Sequence, residues 1–144
     1  MKYTNENEIE KLVESFEKGT ISRESWGHAE HLAVGFYYVW NNDFDTALSK
    51  MRLGIFNLLK AFGIDTSKES PYHETLTHFW IKLLDENKNP AKSLIENCVE
   101  IIGKFDKNYP SNYYSRELLF SAEARSNFVE PDLLKTTYFF ANSK

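Results

Sequence analysis

Apolar residues recur along this chain at three- and four-residue intervals, the spacing of one helix face, and no run alternates in the two-residue rhythm of a strand. Ile9, Leu12, Val13 and Phe16 form the first stripe, with Thr4 as its expected N-cap and Gly19 as its stop. A second helix is expected after Ser25, running through Trp40 towards Asn41 and Asn42. The third, capped by Asp43, carries Phe44, Ala47, Leu48, Met51, Ile55, Leu58 and Phe62 before Gly63, and is the clearest amphipathic segment. Ser70-Pro71 reads as a cap followed by proline at the first helical position, opening a fourth helix over residues 72–84. Asn89-Pro90 repeats that signal before a fifth stripe of Leu94, Ile95, Cys98, Val99, Ile102 and Phe105.

Beyond Asp106 the pattern is weaker. Residues 109–114 read as a loop, Ser115 as the cap of a short helix reaching Phe120, and Glu130-Pro131-Asp132 as a turn or helix start. Residues 136–144 read as helix or ordered tail. With no internal repeat, the expectation is an all-α fold, a compact single-domain bundle of five or more helices spanning 1–144.

Composition narrows the function classes. Aromatic residues reach 15%, enough to build a sizeable core in one domain. The 17 basic and 21 acidic residues are interspersed, and no basic stripe supplies the phosphate attraction that nucleic-acid binding needs. The lone Cys98 excludes an intramolecular disulfide and a Cys-rich zinc module, and its helical setting suits a small buried hydrophobe. The polar start is unlike a signal peptide, and the nearly uncharged stretch 31–42 is too short to span a bilayer. These features point to a soluble cytoplasmic protein that does not engage membranes.

Candidate chemistry concentrates in His28, His31, His73 and His78, at the starts of two expected helices. His28 and His31 share a side with Leu32, Gly35 and Val39, whereas Glu30, Tyr37 and Asn41 mark the wetter side. His73 shares a face with Leu76, Trp80 and Leu83, and His78 falls on another. His28 and His73 each follow a serine by three residues, which puts both imidazoles in a first helical turn near the positive end of the dipole. That position favours the neutral ring, the form that binds a metal or accepts a proton.

His28, His31 and His73 are therefore the candidate ligands of a divalent metal. Three histidines with an open position suit zinc; two with a carboxylate suit iron. Glu74 is the candidate carboxylate or general base, although neighbouring helix residues diverge by about 100°, which opposes joint ligation with His73. Arg52, beside the most apolar stripe, would grip an anionic substrate, form a salt bridge to Glu74 or another acid, or snorkel to solvent. Trp26, Tyr72, Tyr113 and Tyr114 are candidate pocket linings, with Trp26 better suited to packing, and Arg125 a candidate for closing the pocket. No organic cofactor is indicated.

Trp26-Gly27-His28-Ala29-Glu30-His31-Leu32, followed by Tyr72-His73-Glu74-Thr75-Leu76-Thr77, resembles the paired motifs of a family of small bacterial proteins carrying W-x-H-x-x-H-L and Y-H-E-T-x-T. The likeness extends through Met51-Arg52 and the Glu130-Pro131-Asp132-Leu133 turn. A threonine often precedes the first histidine in that pattern, where this chain has Gly27, so a hydroxyl role at that place is not carried over. The resemblance supplies no reaction. Three readings follow: a metal-dependent hydrolase or oxidase of a small molecule, a metal-free pocket with a histidine base, and a binding or assembly module whose aromatics serve a homodimer face.

Overall fold

Local capping decides where the helices begin. The computed structural model describes residues 2–65 and 71–135. Among them are α1 (Glu6–Lys18), α2 (His28–Asn41), α3 (Phe44–Ala61), α4 (Glu74–Glu86), α5 (Leu94–Lys104), α6 (Arg116–Leu119) and α7 (Ala122–Ser126), with no strand. The fold is all-α, as expected. Residues 136–144, read from sequence as helix or tail, lie outside the described residues.

Asn5, not Thr4, caps α1: its side chain accepts from the Glu8 amide at 3.0 Å and Glu8 returns a carboxylate oxygen to the Asn5 amide. Thr4 stands one residue outside and donates its hydroxyl to the same carboxylate. Gly19 ends the helix at φ +68°, a left-handed conformation that suits glycine. Asp43 caps α3 as expected.

The two proline signals mark approaches rather than first turns. Ser93 caps α5, and Asn89-Pro90 lies in the preceding turn, where the buried Asn97 side chain holds both the amide and the carbonyl of Asn89. At α4 the cap is His73 itself, and Pro71 precedes the helix. Proline's restricted φ suits an extended approach as well as a helix start, so the dipeptide alone does not separate the two. The loop expected over 109–114 contains a short 3-10 turn, Tyr109–Asn112.

Apolar on nearly every side, α2 packs against α1, α3, α4 and α5. Gly35 permits close approach to α4: a Cβ there would lie 2.9 Å from Leu84 Cδ1. Gly54 does the same for α1, where a Cβ would stand 2.1 Å from a Phe16 ring carbon. This central placement overturns the wet-side reading of Glu30, which is buried. Its carboxylate accepts from the Gly27 amide and the Tyr3 hydroxyl and pairs with Lys2 at 2.7 Å, so the N-terminal segment neutralises it.

The segment after α5 crosses back over α4. Thr75 Oγ1 donates to the Asn127 carbonyl and accepts from the Val129 amide, and the Tyr114 hydroxyl donates to the Val129 carbonyl. Among the described residues no helix is long and apolar enough to cross a membrane.

Candidate functional site

A cavity of about 580 Å³ opens between α2, α3, α4 and the loop that follows α5. That volume lies within the range of pockets that enclose small organic ligands, roughly 300–1,000 Å³. Leu32, Met51, Ile55, Leu59, Leu76 and Trp80 make most of its wall apolar. His28, His31 and His73 all line it, along with Tyr72 and Thr77. Among the described residues its charged lining residues are Arg23 and Lys107, and no carboxylate is among them.

His28 is the first residue of α2, and its Nε2–H donates to the Phe105 carbonyl at 2.9 Å. The ring lies edge-on to Trp80 at 5.2 Å between centroids. His31, one turn on, donates Nδ1–H to the Gly27 carbonyl at 3.0 Å and packs on Trp26 at 4.2 Å. A carbonyl only accepts, so each bond assigns the tautomer and leaves the other ring nitrogen, His28 Nδ1 or His31 Nε2, as a lone pair with no partner among the described residues. Burial holds the His31 imidazole below its ordinary range, outweighing the pull of the Gly27 carbonyl, and keeps that lone pair available near neutral pH.

His73 differs. Its Nδ1 accepts from the Leu76 amide at 3.1 Å as the α4 cap, and Nε2–H donates to the Leu119 carbonyl at 2.5 Å. Both ring nitrogens are engaged, so His73 has no lone pair to offer an ion without releasing its helix. Among the described residues no three His, Cys, Asp or Glu side chains gather as a metal-binding group. The three-histidine set expected from sequence is thus not assembled: the third member is a capping residue.

Glu74 is also placed away from the histidines, and Arg52 is paired with it. They line a separate depression, together with Phe56, Arg125 and Phe128, and share only Tyr72 with the cavity. Arg52 grips the carboxylate with both arms, Nε to Oε1 at 2.9 Å and Nη2 to Oε2 at 2.5 Å. The Tyr72 hydroxyl donates to Oε1 at 2.6 Å. Burial alone would raise the Glu74 carboxyl, but the guanidinium and the phenol outweigh it and hold it below the usual range. A carboxylate so held is a weak base, and Arg52 takes the salt-bridge alternative of the sequence reading. The divergence follows from helix geometry: Glu74 is the first residue of α4 and projects away from its neighbour His73.

Arg125 belongs to this depression rather than to the cavity, and Tyr113 and Tyr114 are buried in the core. His78, expected to face away, is covered by the returning chain and stacks on Phe128 at 3.8 Å. Cys98 is buried and its thiol is pushed up to about 12, so it is no thiolate nucleophile at neutral pH.

Sequence reasoning overlooked Arg23, Lys107 and the α3 wall of the cavity. Arg23 and Lys107 stand in irregular segments with no motif around them. The latter is brought to α2 by a contact between residues 77 positions apart, His28 to Phe105. The α3 residues carried a legible signal, since their apolar stripe was recognised but assigned wholly to the core. No family model, no curated protein and no solved structure matches this chain, so the reading of the site rests on its own geometry.

Proposed function

We propose that this chain is a small-molecule enzyme of the proton-transfer type, working without a metal. A largely apolar substrate occupies the cavity, and His28 Nδ1 or His31 Nε2 accepts a proton from it. The observation that carries the reading is the pair of imidazoles, one helical turn apart, whose lone pairs, unpartnered among the described residues, belong to a largely apolar cavity wall without a described carboxylate. Each ring is oriented by a backbone carbonyl on its other nitrogen, the arrangement that prepares a histidine as general base. Once the base is protonated, the same carbonyls face the N–H bonds of an imidazolium and help to stabilise it.

An alkylated dinitrophenol tests this directly, because the dye is apolar, carries one proton more acidic than an imidazolium's and turns yellow on losing it. At a pH below the dye's own pKa, the wild-type protein is expected to quench Trp26 and Trp80 fluorescence and to turn the bound dye yellow. The His28→Gln, His31→Gln variant keeps side-chain N–H donors for the two carbonyls but has no basic nitrogen. It should bind the dye and leave it colourless. Dye bound by wild type without ionising would leave a binding module in place of an enzyme; no fluorescence response at all would remove the cavity as a site.

A further inference from the structure

We infer that the ligand of this cavity is an amphiphile with an anionic head, held at the mouth by Arg23 and Lys107 while its apolar body lies along α3 and α4. The inference rests on the cavity being a ligand site and adds the class of molecule it takes. Arg23 and Lys107 both line the cavity and both are solvent-exposed, which places them at its opening. Neither has a carboxylate partner: the ion pairs among the described residues engage Lys2, Lys18, Arg52, Lys82, Lys88 and Lys92 instead.

What marks these two cations is their placement: both stand at one opening, and among the described residues no acid lines the space behind them. An uncharged ligand would leave both cations without a role, and a cationic one would meet like charge. An anionic oxygen head satisfies both, and the wall behind it, with Ile55, Leu59, Leu76 and Trp80, offers little but apolar contact. A carboxylate and a phosphate monoester share this chemistry. Exposed cations act through solvent, so the head group sets selectivity and entry while the apolar body supplies most of the affinity.

The test compares dodecanoate, dodecyl phosphate and dodecanol below their aggregation concentrations, read by Trp fluorescence and by the shift in Tm. The two anions should bind about tenfold more tightly than the alcohol, a preference within reach of two exposed ion pairs. That preference should shrink with added salt and vanish in Arg23→Gln, Lys107→Gln, whose affinity for dodecanol stays at the wild-type value. Tighter binding of the phosphate assigns a phosphoryl head, and tighter binding of dodecanoate a carboxylate. Equal binding of alcohol and anions overturns the inference and leaves the cavity reading standing, as does an anion preference that survives the double substitution. Failure of all three chains and of the dinitrophenol dye overturns both.

Discussion

The cavity between α2 and α4 and the depression beside Arg52 share Tyr72 as a wall and carry opposite chemistry. In the depression the Arg52 guanidinium, the Glu74 carboxylate and the Tyr72 phenol satisfy one another, and Glu74 accepts three hydrogen bonds. In the cavity, His28 and His31 each donate one hydrogen bond and keep one lone pair free. Residue type alone put Glu74 and Arg52 beside the histidines as candidates for one site. What separates the two regions is spare bonding capacity. A fully satisfied network holds structure; an unsatisfied group facing a cavity is open to a ligand.

His73 stands between the two cases, lining the cavity yet fully engaged, and replacing it should have the largest effect. His73→Ala removes the α4 cap and leaves the Leu119 carbonyl without its donor, at a cost of about 3 kcal/mol. In a thermal melt this lowers Tm by roughly 10 °C. An unchanged Tm would show that the imidazole is not the cap, and would reopen it as a ligand-binding group.

Next in size is Glu74→Ala, which strands Arg52 and the Tyr72 hydroxyl. Because the Arg52 side chain is 38% exposed and water compensates it, the expected loss is about 2 kcal/mol. The comparison predicts that this loss comes without any change in dye ionisation in the cavity. If Glu74→Ala bleached the dye while the protein stayed folded, the two regions would be one site.

The smallest effect is on pH dependence. Burial foremost holds the His73, His31 and His78 imidazoles below their ordinary range in the folded protein. Protons therefore bind the unfolded chain more readily. The stability these groups contribute is fully present above their unfolded pKa, about 6.5, and is lost as pH falls through their folded values. Tm should thus decline as the medium is acidified below about pH 6.5, with a shallower slope in His73→Ala, which has one such group fewer. A slope that is the same in both proteins would mean that His73 titrates as freely folded as unfolded.

The fold was more legible than the site, for a reason visible in particular residues. Helix existence follows from local spacing, and Asp43, Ser115 and Gly19 act as read because a cap or a left-handed stop involves only neighbours in the chain. The errors fell where two local candidates competed, as Thr4 with Asn5 and Asn89 with Ser93. Glu30 was misread because its wetness was judged from one helix, whereas the segment before α1 reaches it and Lys2 and Tyr3 meet its charge.

By itself, then, the sequence determined that α1 to α6 are helices, some of their ends, and the fact that His28, His31 and His73 sit near two helix starts, while α7 went unread. The His73 lone pair is taken locally, by the Leu76 amide one turn on, and the Gly27 carbonyl within one turn orients His31. Tertiary structure alone supplied the Phe105 carbonyl that leaves His28 Nδ1 free and the Leu119 carbonyl that holds the other side of His73, both from distant parts of the chain. It also placed Glu74 with Arg52 and left Arg23 and Lys107 unpaired at the cavity mouth. Hydrogen bonds and ion pairs act over a few ångströms, so the roles of these side chains are set by what folding brings within that reach.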